Sequence, residues 1–228
     1  YYKPVGAFFI LLNTVFWEVI GMKEAVILLH GLGRTKNSMS KIEKHFKEEY
    51  DVYNIGYNSL KYPIEILVEK YLTEIVNELN DKGQKINFVT HSMGGILVRY
   101  LFKTHEIKNP GRVVMLAPPN KGSELANKFY KIHGPACAQI MRSRNSFVNR
   151  LGEINFECGI IAGGRNYYFF LDKYFKGKKN DGIVAVDSTK VKGQKSFIEL
   201  EKGHTMIMYS DEVIKKIEHF IKNGKFLG

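Results

Sequence analysis

From residue 24 onward the chain alternates short apolar runs with segments of helical periodicity, and that alternation leaves few folds open. AVILLH (25–30) is a continuous apolar run ended by glycines, as expected of a parallel strand buried on both faces. DVYNIGY (51–57), INFVT (86–90), RVVMLAPP (112–119), CGIIAGG (158–164) and SFIEL (196–200) read as five further strands. Between them, Met39, Ile42, Phe46 and Tyr50 recur at helical spacing. Pro63 opens a strongly amphipathic helix carrying Ile64, Leu67, Val68, Tyr71, Leu72, Ile75 and Leu79 on one face, closed by Asp81-Lys82-Gly83. Residues 93–102 read as another helix, and Val213, Ile214, Ile217, Phe220 and Ile221 mark a closing one. Strands alternating with helices predict an α/β domain over 22–228, a mostly parallel central sheet with helices on both faces and right-handed crossovers. Periodicity weakens over about 120–157, around Gly134-Pro135, which predicts a small cap insertion.

The first 21 residues, YYKPVGAFFILLNTVFWEVIG, stand apart. The uncharged run 5–17 is shorter than the ~20 residues a spanning helix needs. It reads as a signal-peptide core or a marginal membrane anchor, although no A-x-A cleavage site follows. The sequence begins at Tyr1, and Met22 directly precedes the first strand. Two expectations therefore stand: membrane association or export if residues 5–20 are retained or act as a signal, and a cytoplasmic protein if Met22 is the start.

A net charge of +11 raises nucleic-acid binding, but the lysines are dispersed and only KGKK (176–179) clusters. No zinc-finger spacing or basic-region helix accompanies them, so a solvated surface or attraction to anionic lipid accounts for the charge better. Cys137 and Cys158 permit at most one disulfide and no metal spacing. Neither a metal nor an organic cofactor is expected.

Chemistry enters at FVTHSMGGILVRY (88–100). Ser92 follows a strand and precedes Gly94-Gly95 and a helix, the setting of a strained turn that projects a nucleophile beyond the carboxyl edge of the sheet. Thr90 stands where the first glycine of G-x-S-x-G is usual. A nucleophilic serine requires a base, and the base an orienting acid. His204 lies in a glycine-containing turn after the last strand, at the same edge as Ser92. His45, His105 and His219 sit on helices or at their ends, His133 falls in the insertion, and His91 adjoins the serine but points elsewhere. For the acid, Asp181 before Gly182 ranks first, Asp187 second and Asp172 third. Two backbone N–H groups must face the developing oxyanion. Met93, after the serine, supplies one, and HGLGR (30–34) after the first strand supplies the other, with Leu32 the expected donor.

HGLGR, HSMGG, LAPPNKGSE, DGIVAVDSTK and GHTMIM together resemble the α/β-hydrolase superfamily, and within it the bacterial lipase-like serine esterases, a group similar to triacylglycerol lipases and GPI-inositol deacylases. The resemblance runs from residue 24 to the end. It implies a Ser92–His204–Asp181 triad, oxyanion donors at Leu32 and Met93, and hydrolysis of a small-molecule ester or lipid through an acyl-enzyme. The short segment where larger lipases carry a lid favours small or flexible acyl substrates. The acyl pocket is expected from residues 120–157 and the aromatic loop NYYFFLDKYF (166–175). The alternatives are a thioesterase or acyltransferase using the same triad, a peptidase or amidase, and a non-catalytic lipid- or partner-binding protein.

Overall fold

The protein is described by a computed structural model over residues 21–227. The expectations placed on residues 1–20 lie outside the described residues. Strands β1 (Ala25–Leu29), β2 (Asp51–Ile55), β3 (Ile86–His91), β4 (Pro110–Leu116), β5 (Cys158–Gly163) and β6 (Ser196–Leu200) form one sheet in the order β2-β1-β3-β4-β5-β6. Every pairing in it is parallel. The chain winds outward from β1 to β2, then returns past β1 to β3 and continues the other way. The switch therefore falls between β1 and β3, and a crevice opens at their carboxyl ends.

Helices α1 (Ser40–Phe46), α2 (Ile64–Tyr71), α3 (Thr73–Asp81) and α4 (Gly94–Thr104) connect the first four strands. Short helices α5 (Glu124–Phe129), α6 (Gly134–Gln139) and α7 (Phe147–Arg150) fill the connection between β4 and β5; α8 (Val186–Thr189) precedes β6, and α9 (Asp211–Asn223) closes the chain. Strand alternation divides the core into two layers. Ala25, Ile27 and Leu29 of β1 pack with Phe88 beneath the helices α2, α3 and α4. Val26 and Leu28 turn to the opposite layer with Met39, Phe46, Val213, Ile217 and Phe220, from the α1 and α9 side. Both faces of the sheet are covered, which is why β1 reads as an unbroken apolar run.

Local details depart from the pattern. The single amphipathic helix expected after Pro63 is two, α2 and α3, broken at Leu72 (φ −116°). The Thr73 hydroxyl reaches back to the Val68 carbonyl at 3.4 Å, placing a side chain in the backbone ladder. The second strand stops at Ile55 rather than Tyr57, and β4 begins at Pro110, before the apolar run that announces it. Between β4 and β5 the anchor is Arg99 of α4, buried at 4% exposure. Its guanidinium donates to the Asn120 carbonyl at 2.9 Å and the Gly152 carbonyl at 2.7 Å, pinning both ends of the connection to the helix. Burial pushes its pKa down to about 10. Cys137 and Cys158 are both buried free thiols, and burial pushes the Cys137 thiol up to about 11.

Candidate active site

β3 runs one residue further than its apolar stretch, so Ser92 follows His91 directly at the strand's carboxyl end. Its N–H donates to the Leu116 carbonyl of β4 at 2.8 Å, and its φ of 53° lies in the left-handed region. That conformation costs a non-glycine residue on the order of 1–3 kcal/mol and persists only where neighbours enforce it. Two glycines make room for it. A Cβ on Gly94 would lie 2.6 Å from the Leu29 carbonyl, and one on Gly31 would lie 3.0 Å from the Ser92 Cβ. Thr90, by strand alternation, shares the Phe88 side of β3 and is fully buried.

The β5–β6 connection delivers Asp181, and the β6–α9 connection delivers His204. His204 Nδ1 stands 2.7 Å from Asp181 Oδ2, and His204 Nε2 stands 3.0 Å from Ser92 Oγ. The carboxylate accepts, so Nδ1 carries the proton, Nε2 is left as the acceptor, and the Ser92 hydroxyl donates to it. The other carboxylate oxygen, Oδ1, accepts from the Ile183 and Val184 N–H groups at 2.9 and 2.7 Å. Those two bonds hold the carboxylate plane, and with it the imidazole. The Asp181 side chain has no exposure to solvent and that of His204 has 7%, so the chain of bonds works in a medium that screens weakly.

The β1 loop closes the other side. His30 is stacked on Tyr57 with ring centroids 3.9 Å apart, accepts from the Tyr57 N–H at 3.4 Å, and donates from Nδ1 to the Gly31 carbonyl at 2.9 Å. Desolvation lowers its pKa, so it stays neutral. A trans peptide points its N–H opposite to its carbonyl; fixing the Gly31 carbonyl therefore fixes the direction of the Leu32 N–H. Among the described residues neither the Leu32 nor the Met93 N–H has a protein acceptor. Met93 follows the serine directly, and Leu32 lines the cavity in front of it.

That cavity, about 210 Å³, is bounded by Ser92, His204, Gly31 and Leu32 on the chemical side. Leu125, Ala126, Phe129, Ile140 and Val184 give it apolar walls, and His133 reaches it from the β4–β5 connection. The remaining sequence candidates lie elsewhere. Asp187 is exposed and pairs with Lys190 at 3.5 Å, and Asp172 accepts from Asn166 and Asn180. His45 bonds Glu218, His105 contacts Thr73, and His219 donates to the Lys225 carbonyl. Among the described residues no group of three or more His, Cys, Asp or Glu side chains is placed to hold a metal ion.

Three supports escaped the sequence reading. The His91 ring, fully buried, donates from Nε2 to the His204 carbonyl at 2.9 Å. Burial, and then the neighbouring His204 ring, drive its pKa well below the usual histidine value. Arg34 donates to the Thr205 hydroxyl at 2.6 Å, joining the β1 loop to the His204 loop, and the Gly33 N–H donates to Ser59 Oγ at 2.9 Å. No local pattern announces pairs separated by 113 and 171 positions.

Comparison with known proteins places the fold. Residues 22–120 match the family described as Putative serine esterase (DUF676). No curated protein matches the chain. Among solved structures, the propeptide form of Bacillus licheniformis lipase BlEst2 superposes with a TM-score of 0.66 at 19% identity, over 90% of this chain and 51% of that one. The mature form of the same lipase gives 0.64 at 19% identity, over 89% of this chain and 92% of that one. The metagenomic carboxyl esterase MGS0156 gives 0.66 at 17% identity, over 81% of this chain and 65% of that one. The chain thus spans about half the length of the propeptide form that it matches. Its fold is the α/β-hydrolase fold that lipases and esterases share.

Proposed function

We propose that the protein is a serine hydrolase of the lipase/esterase kind that cleaves carboxylic esters. The observation that carries this reading is the unbroken run of hydrogen bonds from Ser92 Oγ through His204 to Asp181, starting from a serine in left-handed backbone. Ser92 Oγ attacks the ester carbonyl while His204 Nε2 takes its proton. The oxyanion is met by the Leu32 and Met93 N–H groups; one such donor is typically worth about 2.7–4 kcal/mol of transition-state stabilisation. His204 then protonates the leaving alcohol, and an acyl-enzyme on Ser92 remains. Water, deprotonated by the same imidazole, releases the acid and restores the serine. Asp181 keeps Nδ1 protonated throughout and stabilises the imidazolium that forms in each half-reaction.

The apolar walls of the cavity suit the acyl chain. At about 210 Å³ the cavity is small, which favours a short to medium acyl chain. Family and fold likeness to esterases and lipases support the same class. The test is hydrolysis of p-nitrophenyl esters from acetate to laurate by wild-type protein and by Ser92→Ala. Turnover that passes through a maximum at intermediate chain length, and is lost in the variant, agrees with the proposal. Equal rates in the two proteins overturn it.

A further inference from the structure

The aromatic loop between β5 and Asp181 is not used by the chemistry above. Tyr167, Tyr168, Phe169 and Phe170 are consecutive and exposed by 51%, 43%, 81% and 60%. Isolated exposed apolar side chains are ordinary on a soluble protein; four successive rings are not. Their rings cluster: Phe170 lies 6.1 Å from Phe169 and 6.2 Å from Tyr168, centroid to centroid.

The loop is seated on the site itself. Tyr167 packs on Gly203, beside His204, where a Cβ would come within 2.5 Å of its ring. Tyr168 packs in the same way on Gly182, beside Asp181. The following turn reaches α5, where Tyr174 meets Phe129, a cavity-wall residue, with centroids 6.3 Å apart. Beyond α5, Ile132 is exposed by 76%. The exposed rings therefore border the connections that carry Asp181 and His204, at the carboxyl rim of the sheet.

Positive charge predominates around it. Asp172 is the only acid between residues 165 and 179, against five cations, and its carboxylate is engaged by Asn166 and Asn180. Lys178 and Lys179 are paired with Glu124, Glu199 and Glu201. Arg165, Lys173 and Lys176, together with Lys128 and Lys131 beside Ile132, have no acidic partner among the described residues. Arg165 lies 5.0 Å over the Tyr167 ring and Lys173 lies 5.2 Å over that of Tyr174.

We propose that this surface docks the protein onto an anionic lipid bilayer, with Phe169 and Phe170 inserted below the headgroups. Exposed phenylalanines gain by leaving water. Tyrosines favour the headgroup level, where one end is apolar and the other wet. Unpaired lysines and arginines are attracted to an anionic leaflet. A protein partner would be expected to meet a surface poorer in lysine. Insofar as docking brings bilayer esters to the cavity it rests on the proposed hydrolase function; the docking itself does not.

The experiment uses the full chain carrying Trp17→Phe, Phe169→Trp and Ser92→Ala, so that tryptophan sits only in the loop and the lipids stay intact. Vesicles of mixed phosphatidylglycerol and phosphatidylcholine are expected to shift the emission of that single loop tryptophan to the blue. Brominated acyl chains should quench it, and pure phosphatidylcholine or high salt should weaken the effect. Adding Phe170→Ser should lower the apparent partition at least about tenfold, the loss expected for one fully buried aromatic ring. Because the reporter is local, binding through residues 5–17 alone would leave its emission unchanged. An emission unmoved by the mixed vesicles overturns the proposal, whether or not an oligonucleotide or a second copy of the chain moves it. So does a partition indifferent to Phe170→Ser. Failure of wild-type protein to hydrolyse soluble esters would count against the proposed function and leave the docking result standing.

Discussion

His204 is tied to Asp181 twice: its backbone N–H donates to the Asp181 carbonyl at 3.0 Å, and its Nδ1 donates to the Asp181 carboxylate at 2.7 Å. The β5–β6 and β6–α9 connections are thus joined through main chain as well as side chain. The imidazole keeps its place only if both loops do. Asp181 also closes a turn on itself, its N–H donating to the Val184 carbonyl while its Oδ1 accepts from the Val184 N–H. Base and acid form one unit against which the Ser92 hydroxyl rests.

In the proposed mechanism that unit makes Asp181 the orienting acid. Asp181→Asn should lower kcat by about 10³–10⁴, because the amide presents an N–H where Nδ1–H needs an acceptor and the imidazole turns to the wrong tautomer. Asp187→Asn, at an exposed carboxylate paired only with Lys190, should stay near wild type. Steady-state kinetics on one soluble ester separates the two; a larger loss from Asp187→Asn would displace Asp181.

The strained serine depends on its glycine neighbours. In Gly31→Ala the new Cβ would press on His91 Nδ1 at 2.9 Å and on the Ser92 Cβ at 3.0 Å. The turn must shift by tenths of an ångström, displacing both the Leu32 N–H and the nucleophile. kcat should fall, by up to about the 10²-fold that a 1 Å misplacement can cost, while circular dichroism stays native. Unchanged kcat would mean that the β1 loop does not touch the chemistry.

Much of this arrangement is legible in the residues. Continuous apolar runs predict a sheet covered on both faces, and the two core layers account for them. Ser92, His204 and Asp181 are each found after a strand, and in a parallel sheet all such positions share one rim, which is why chain order alone brings them near one another. Less visible is anything set by pairing at long range. His91 reads as a bystander of the elbow because nothing local tells that its ring ends on the carbonyl of residue 204. Arg99 reads as one more cation on a helix until the carbonyls of residues 120 and 152 converge on it. The break at Leu72 is hidden because the apolar stripe continues unbroken across it, and only the Thr73 hydroxyl marks the spot.

Acid should loosen the fold from the inside. His30 and His91 both have pKa values held below 6.5 by burial, so below about pH 6.5 the unfolded chain binds protons that the native one refuses. Their contribution to stability is complete above the unfolded value and declines as pH falls, by up to about 1.4 kcal/mol per pH unit for each group. Urea midpoints between pH 7.5 and 5 should fall, and His91→Gln, which keeps a donor for the His204 carbonyl, should flatten the decline. A pH dependence as steep in the variant would remove His91 from this account.

The cavity wall sets chain length. Ala126 on α5 faces the cavity and is 5% exposed, so Ala126→Phe fills space that an acyl chain would use. kcat/KM for octanoate esters should drop by about 10-fold or more, roughly the 1–3 kcal/mol that apolar pocket contacts supply. Acetate hydrolysis should change little. Parallel losses on both esters would place the acyl site elsewhere.

The central claim is that the hydroxyl of residue 92 is the activated nucleophile, and covalent capture tests it most directly. After reaction with a fluorophosphonate, intact-mass spectrometry should show one adduct per chain, and peptide mapping should locate it on Ser92. The label should be absent from Ser92→Ala and strongly slowed in His204→Ala. An adduct on another residue, or equal labelling of wild type and Ser92→Ala, would contradict the account.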